Sequence, residues 1–176
     1  MKLIQEILVS AFLLVCCHIL FAQATPLYKY LGKVAYVVDG DTLYVNDNRG
    51  NKHKIRIAYI DAPEMRQAGG KNSRSSLLPL SGQQVKVLVI STDRYHREVA
   101  EIYWHEQDIG LKQVIAGQAW VYRYYAKINL PVERFNSYHL AEQNAHQMHL
   151  GLWREQAIPP WLCLLYTSDA ADDLLC

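Results

Sequence analysis

Short apolar stretches separated by turn-forming residues dominate the chain between residues 30 and 104. These stretches alternate apolar and polar positions or are rich in β-branched and aromatic residues, which is typical of strands. Asp39-Gly40 is a typical hairpin turn between the first two stretches, and a polar NRGN turn over 48–51 separates the second from the third. The pattern predicts five strands, at Tyr30–Val38, Thr42–Asn46, Lys52–Ile60, Gln84–Ile90 and Arg97–Trp104.

Helical patterns are stronger in the second half of the chain. Asp108–Gly117 is predicted to be a short helix that ends at its glycine. Val132–Leu150 is predicted to be a longer helix, and Gly151 ends it. A weaker helix is predicted within Gln67–Ser76, where Pro79 prevents continuation. The buried stripe of the long helix is predicted from spacings of three and four to contain Tyr138, Ala141, Ala145, Met148 and Leu152.

Five short strands with interspersed helices favour an α+β fold that is mainly β. The predicted architecture is a small closed barrel, and the five-stranded oligonucleotide-binding (OB) barrel with about three α-helices is the candidate. The sequence contains no internal repeat and no sign of a second domain. Residues 25–161 are therefore predicted to form one domain.

Both ends of the chain differ from this domain in composition. Residues 1–24 contain Lys2, an apolar segment and the pattern Ala22-Gln23-Ala24, which predicts an export signal cleaved after about Ala24. An uncleaved membrane anchor is the alternative, although the apolar segment is short for a span. Residues 162–176 contain three Asp and no Lys or Arg, and we interpret them as a non-native or disordered tail. The alternative is a genuine tail whose two cysteines pair.

Composition and charge narrow the classes of function only slightly. The chain has 176 residues, of which 51% are hydrophobic and 20% charged, and this excludes a wholly disordered protein. Its net charge of +1 does not by itself indicate a polyanion-binding protein. Residues 25–161 hold 17 basic and 13 acidic residues, so the predicted domain is mildly basic and suits a polyanion.

Two acidic clusters lie at the ends of neighbouring predicted strands. They are Asp39-Gly40-Asp41 and Asp61-Ala62-Pro63-Glu64. If the second and third strands pair, Asp41 and Asp61 converge at one edge of the sheet. Carboxylates that converge in an exported protein are hard oxygen ligands suited to Ca²⁺. The alternative is that both clusters are only turns, in which Asp bonds to its own backbone.

Two arginines are placed to act together with these acids. Arg56 precedes Asp61 in the same predicted strand, and Arg97 begins the fifth strand. A guanidinium group matches phosphate oxygens in a bidentate fashion and keeps its charge. One cation, two guanidinium groups and one carboxylate base would meet the requirements of phosphodiester hydrolysis. Taken singly, each arginine is better interpreted as part of a surface salt bridge.

The motifs that carry these residues resemble, in order and across nearly all of residues 31–161, those of the thermonuclease (staphylococcal nuclease-like) family. The resemblance implies an OB-type barrel with three helices and Ca²⁺-dependent hydrolysis of DNA and RNA. The matching segments are VDGDTL (38–43), IRIAYIDAPE (55–64), TDRYHREVAEIY (92–103), AGQAWVYRYY (116–125), AEQNAHQMHLGLW (141–153) and PPW (159–161).

The resemblance also implies a role for each matching residue. Asp41 and Asp61 would bind the metal through their carboxylates, and Ala62 through its carbonyl. Arg56 and Arg97 would hold the scissile phosphate, and Glu64 would orient or deprotonate the attacking water. The family's substrate-contacting positions correspond to Arg94, Tyr95 and Tyr125. Ala62 replaces a threonine of the best-known member, but only the backbone carbonyl is required there.

These observations predict an exported, Ca²⁺-dependent nuclease with little sequence specificity. Its expected partners are DNA and RNA, with single strands preferred, because aromatic and arginine side chains such as Tyr125 and Arg94 stack on bases and contact phosphates. We expect a secreted or periplasmic monomer that is not held at a membrane after cleavage of its signal. The alternative function is a non-catalytic OB barrel that binds single strands.

Overall fold

A computed structural model describes residues 26–154 and 157–159. Five strands of six to ten residues form one sheet, and they are β1 Tyr28–Val37, β2 Thr42–Asp47, β3 Lys52–Ile57, β5 Gln84–Thr92 and β6 Glu98–Trp104. Their order in the sheet is β3-β2-β1-β5-β6. β3 also pairs in parallel with β6, and this pairing closes the sheet into the predicted five-stranded barrel.

Three two-residue strands complete the β structure of the described residues. β4 Ile60–Asp61 pairs with β8 Trp120–Val121 in a separate ribbon, and β7 Gln107–Asp108 extends the edge of the main sheet next to β6. The barrel interior is filled by alternate side chains of the long strands, because successive residues of a strand point to opposite faces. Those fully buried there include Val34, Leu43, Val45, Ile55, Ile57, Val85, Val87, Val89, Ala100 and Ile102.

The described residues form four α-helices. They are α1 Gly70–Leu77, α2 Ile109–Ile115, α3 Arg123–Asn129 and α4 Val132–Gln147. Short 3₁₀ turns follow α1 and α4, at Leu78–Leu80 and Gly151–Trp153. Asp108 caps α2 by accepting from the Leu111 amide and also accepts hydrogen bonds from Tyr138 and Arg134 of α4, so one carboxylate ties both helices together. None of the helices within the described residues is long and apolar enough to cross a membrane.

Four details of the sequence prediction are wrong. The third strand ends at Ile57 rather than Ile60, because Tyr59 adopts a left-handed backbone conformation with φ of 67° and turns the chain out of the barrel. A fourth helix, α3, was not predicted, and the long helix ends at Gln147 rather than Leu150. Met148 is 70% exposed, whereas the other members of the predicted stripe are buried.

The strands, turns and glycines are otherwise close to their predicted positions. Asp39-Gly40 forms the turn between β1 and β2, and Gly117 follows α2 with φ of 65°. Pro79 lies in the 3₁₀ turn that ends α1. The predicted export signal over 1–24 and the predicted tail over 162–176 lie outside the described residues.

Candidate active site

The pairing of β2 with β3 brings the two acidic clusters together, as the sequence predicts. Thr42 lies opposite Arg56 in the register of the two antiparallel strands, and the Ile57 amide donates to the Asp41 carbonyl at 2.8 Å. Because β2 begins where β3 ends, Asp41 and Asp61 lie on the same edge of the barrel. The Ala62 amide donates to Asp41 Oδ2 at 3.0 Å, which joins the first cluster directly to the second.

Arg56 lies between the two carboxylates. Its Nη2 atom is 2.8 Å from Asp61 Oδ1 and 3.6 Å from Asp41 Oδ2. Its Nη1 atom donates to the Ile60 carbonyl at 2.9 Å. These bonds depend on the turn at Tyr59, because a straight continuation of β3 would carry Asp61 away from the Arg56 side chain.

The turn that carries Asp41 is fixed by close packing on two helices. Gly40 has no space for a side chain, because a Cβ there would lie 1.7 Å from Ser73 Oγ and 2.8 Å from the Ala62 Cβ. Its carbonyl accepts a 2.8 Å hydrogen bond from Nε2 of Gln113 on α2. Ser73 and Gln113 are both buried. Neither residue could be identified from the sequence, since nothing in the local pattern relates α1 or α2 to the β1–β2 turn.

The acidic side chains of the site repel one another electrostatically. Burial and the neighbouring Asp41 charge raise the pKa of Asp39 to about 6. Burial also raises the pKa of Asp61 to about 6, and the charges of Asp41 and Glu64 contribute to this rise, although Arg56 and Arg97 oppose it. Burial is the largest cause of both rises, and a bound cation would favour the ionised form of these carboxylates.

The available donors suit a hard divalent cation. Asp41 and Asp61 offer carboxylate oxygens at the rim of the barrel, and Ala62 between Asp61 and Pro63 offers a backbone carbonyl. No group of three or more His, Cys, Asp or Glu side chains within 26–154 and 157–159 is arranged to hold a metal ion. Ligation at this rim would therefore combine the two carboxylates with backbone oxygen and water, which Ca²⁺ accepts readily.

The side chain of Arg97 extends from the β5–β6 turn to the edge of the barrel that carries Asp41 and Arg56. Asp93 holds it: Asp93 Oδ2 accepts from Arg97 Nε at 2.7 Å, and Asp93 Oδ1 accepts from the Arg97 amide at 2.9 Å. Arg97 Nη1 donates to Thr42 Oγ1 at 3.5 Å. Thr42 is the cross-strand neighbour of Arg56, so the two predicted phosphate-binding arginines lie on the same edge of the barrel. Asp93 positions Arg97, and the sequence alone did not identify it.

An open cavity of about 280 Å³ adjoins the two arginines. Its aromatic wall comes from the turn after β3 and from α3, which the β4–β8 ribbon brings to the site. The rings of Tyr122 and Tyr125 stack at 6.2 Å, and Tyr125 Oη is 3.2 Å from Ser91 Oγ. The lining residues are Arg56, Tyr59, Ser91, Asp93, Arg97, Val99, Tyr122 and Tyr125.

The other predicted substrate-contacting residues lie at the edge of this site. Tyr95 is 61% exposed in the β5–β6 turn, and its ring lies 5.5 Å from the Arg97 guanidinium carbon. Arg94 lies over the same ring and donates to Tyr95 Oη at 2.7 Å. Of the three predicted substrate residues, only Tyr125 lines the cavity.

Glu64 lies on the solvent side of the acidic cluster. Its side chain is exposed, and its amide donates to Gln67 Oε1 at 2.7 Å. Its carbonyl oxygen would lie 2.0 Å from a Cβ at Gly70, so the start of α1 packs directly on this loop. The carboxylate that the resemblance assigns to the attacking water is therefore carried by a braced loop and faces solvent.

Comparison with known proteins agrees with this arrangement. The profile of the staphylococcal nuclease homologue family matches residues 54–155. A protein of Haemophilus influenzae named as an uncharacterized endonuclease is 35% identical over 153 residues, covering 86% of this chain and 80% of its own length. A micrococcal nuclease of Shigella flexneri is 36% identical over 143 residues, covering 75% of this chain and 79% of its own length. The chain therefore belongs to the staphylococcal nuclease family.

Proposed function

We propose that this protein is an exported, Ca²⁺-dependent nuclease that hydrolyses phosphodiester bonds of DNA and RNA with little sequence specificity. The observation that carries this proposal is that Arg56 and Arg97 line one cavity, beside the Asp41–Asp61 pair. A dianionic phosphodiester transition state needs positive charge on its non-bridging oxygens, and two guanidinium groups next to a cation site provide that charge. The endonuclease and micrococcal nuclease relatives support the same reaction class.

The metal ligands in this proposal are Asp41 and Asp61 through their carboxylates and Ala62 through its carbonyl. Bound Ca²⁺ would supply Lewis-acid polarisation of the phosphate. The position of the two carboxylates at one edge of the barrel, joined by the bond from the Ala62 amide to Asp41, supports the assignment.

Each catalytic side chain has one task in this proposal. Arg56 and Arg97 bind the non-bridging phosphate oxygens and stabilise the charge that develops on them. Glu64 orients the attacking water and accepts its proton as the new phosphorus–oxygen bond forms. The bond to the leaving oxygen then breaks, and that oxygen is protonated from solvent. The exposed position of Glu64 favours this role, because water reaches it without any rearrangement.

Substrate binding in this proposal uses aromatic and arginine side chains. Tyr125 in the cavity, with Tyr95 and Arg94 at its edge, would stack on bases and contact phosphates beyond the cleaved bond. Stacking tolerates any base, which accounts for the low sequence specificity, and it requires an unpaired base, which accounts for a preference for single strands.

The proposed site of action is outside the cytoplasm, in the periplasm or medium, with the protein acting as a monomer. The export pattern over 1–24 supports this location, and free Ca²⁺ outside the cell would support the activity.

The deciding experiment is a cleavage assay on purified residues 25–161. Single-stranded DNA, RNA and duplex DNA are incubated with Ca²⁺, with Mg²⁺ and with chelator, for the wild type and for Asp41→Ala. We expect cleavage with Ca²⁺ only, and none by Asp41→Ala. Binding of single strands without cleavage under every condition would favour the alternative function, a non-catalytic binding module.

A further inference from the structure

The outer face of β2 and β3 carries basic and aromatic side chains in cross-strand pairs. Thr42 and Arg56 of the candidate active site form the first pair. Tyr44 and Lys54 form the next pair along the two strands, and Asn46 and Lys52 form the one after it. Because residues two apart on a strand share a face, all three pairs lie on the same outer side of the barrel. The active-site edge therefore continues directly into this surface.

β1 and α1 widen the same surface. Tyr36 of β1 lies opposite Tyr44 in the register and is 53% exposed. The guanidinium carbon of Arg74 lies 5.7 Å from the centre of the Tyr36 ring, and Arg74 Nε is fixed by a 3.0 Å bond to the Val37 carbonyl. Lys52 Nζ lies 4.5 Å from the centre of the Tyr44 ring. We call the set Tyr36, Tyr44, Lys52, Lys54 and Arg74 the flanking surface.

The charge of the flanking surface is positive. β1, β2 and β3 contain a single acidic residue, Asp47. Asp47 is occupied within its hairpin, where it accepts from the amides of Arg49 and Asn51 and contacts His53. His53 also bonds to Glu98, and His53 and Asp47 occupy strand positions that alternate with the outward-facing lysines and Asn46, so no carboxylate of these strands opposes the lysines there.

We propose that the flanking surface binds single-stranded nucleic acid beyond the bond that is cleaved. This inference rests on the proposed function, since it assigns the surface to the substrate of that site. Basic side chains alternating with aromatic rings bind a single strand through its phosphates and bases. From Thr42 to Asn46 the surface extends about 13 Å from the active site, at about 3.3 Å per residue. Only substrates longer than the reacting nucleotides would reach it.

The matched experiment compares two double variants that each remove two lysine charges. Lys52→Ala/Lys54→Ala alters the flanking surface, and Lys86→Ala/Lys112→Ala removes lysines on β5 and α2 as the control. All four side chains are at least partly exposed, so both variants are expected to fold. Binding of a fluorescent 16-nucleotide single strand is measured in chelator as a function of salt, and cleavage of the 16-mer and of a dinucleotide is measured with Ca²⁺.

We expect Lys52→Ala/Lys54→Ala to raise the Kd for the 16-mer at least fivefold. The slope of log K against log salt should fall by about 1.4, because each lost phosphate contact on a single strand removes about 0.7. Its KM for the 16-mer should rise, while cleavage of the dinucleotide stays at the wild-type rate. The control variant should keep the wild-type salt slope.

Equal Kd values and equal salt slopes for the two double variants would overturn the proposal. An effect of Lys52→Ala/Lys54→Ala on the dinucleotide as large as on the 16-mer would also overturn it, because it would place the lysines at the reacting centre. Failure of the wild type to cleave any substrate would instead refute the proposed nuclease function. The binding measurement in chelator would still decide whether the flanking surface holds single strands.

Discussion

Gln113 Nε2 donates a 2.8 Å hydrogen bond to the carbonyl oxygen of Gly40, although 73 residues separate the two in the chain. This bond fixes α2 to the turn that presents Asp41. A buried amide that holds a backbone turn controls the position of the neighbouring carboxylate, in the way that outer-shell partners orient metal ligands.

We therefore predict that Gln113→Leu weakens Ca²⁺ binding. Loss of this hydrogen bond leaves the Gly40 carbonyl buried without that donor, so the Asp41 turn loosens. The Ca²⁺ concentration for half-maximal activity should rise about 10- to 100-fold, and the free energy of unfolding should fall by about 1–3 kcal/mol. A Ca²⁺ titration of activity tests this, with the exposed Gln143→Leu as control. An unchanged Ca²⁺ dependence would show that Gln113 serves stability alone.

The variant Glu64→Gln should fold like the wild type but lack the carboxylate that accepts the proton of the attacking water in the proposed function. Because Glu64 is exposed, we expect the melting temperature to stay near that of the wild type. The kcat should fall by about 10²- to 10⁴-fold, which is the usual contribution of a general base. Steady-state kinetics on single-stranded DNA at saturating Ca²⁺ measures this, and Glu133→Gln on α4 is the matched exposed control. Wild-type kcat in Glu64→Gln would remove Glu64 from the mechanism.

Arg97→Lys should reduce kcat strongly although it preserves the charge. A lysine cannot bond to Asp93 and to a phosphate oxygen at once in the planar geometry of a guanidinium group. We expect a loss of about 10²- to 10³-fold, comparable to removal of one transition-state donor. The same assay with Arg49→Lys, in the distant β2–β3 turn, controls for the substitution type. If both variants match the wild type, positive charge alone is sufficient at residue 97.

Tyr125→Ala should act mainly on KM. The Tyr125 ring lines the cavity next to the arginines and stacks with Tyr122, and in the proposed function it would stack on a base rather than touch the reacting atoms. Such contacts bind ground state and transition state alike, and their loss raises KM at nearly constant kcat. One lost stacking contact corresponds to about 1–3 kcal/mol. Equal losses in kcat and kcat/KM at constant KM would place Tyr125 at the reacting centre.

The contacts of His53 with Glu98 and Asp47 should make the free energy of unfolding depend on pH. Burial lowers the pKa of His53, but the hydrogen bonds with Glu98 at 2.6 Å and with Asp47 outweigh it, so the pKa is raised overall. A raised pKa in the folded state means that the contribution is fully present below about pH 6.5 and is lost as the pH rises through the folded-state value. Tyr28 and Tyr30 also donate to Glu98, and burial raises the pKa of both, that of Tyr28 to about 12, so both remain neutral over this range.

The variant His53→Gln should therefore be destabilised more at pH 6 than at pH 8.5. We expect a loss of about 2 kcal/mol at pH 6, the usual contribution of a hydrogen bond to a charged group. Urea unfolding at both pH values measures the difference, with the exposed His96→Asn as control. A pH-independent difference between wild type and His53→Gln would contradict the role of the charged imidazole.

The sequence predicted those parts of the site that depend on local pairing. Asp41 and Asp61 could be brought together from the hairpin turn and strand alternation alone, because strand pairing fixes which ends meet. The roles of Arg94, Tyr95 and Tyr125 came from family resemblance, and the structure adds that only Tyr125 lines the cavity. The contacts of Ser73 and Gln113 join segments far apart in the chain, and no local pattern encodes such contacts.

There are also physical reasons why the sequence did not predict α3 or the correct end of β3. The α3 sequence RYYAKIN lacks an apolar stripe at helical spacing, and only Ala126 of this helix is buried. Tertiary packing, rather than propensity, therefore accounts for the helix. The end of β3 was missed because Tyr59, a residue with high strand propensity, takes a left-handed conformation that its buried ring contacts with Tyr125 and Tyr138 hold in place.

The turn at Tyr59 divides the site between two structural units. Asp41, Arg56 and Arg97 belong to the barrel, whereas Asp61 and Tyr125 belong to the ribbon of β4 and β8 and the helix behind it. The ribbon is only two residues long on each side, and Tyr122 donates its amide to the Tyr59 carbonyl at 2.8 Å where the two units join. Side-chain and backbone bonds therefore hold Asp61 beside Asp41 across this junction: Arg56 bonds to Asp61, and the Ala62 amide bonds to Asp41. A substitution that removes the Arg56 guanidinium would also remove the hydrogen bond that holds the Asp61 carboxylate, so the activity lost in such a variant reports the position of Asp61 as well as the charge of Arg56.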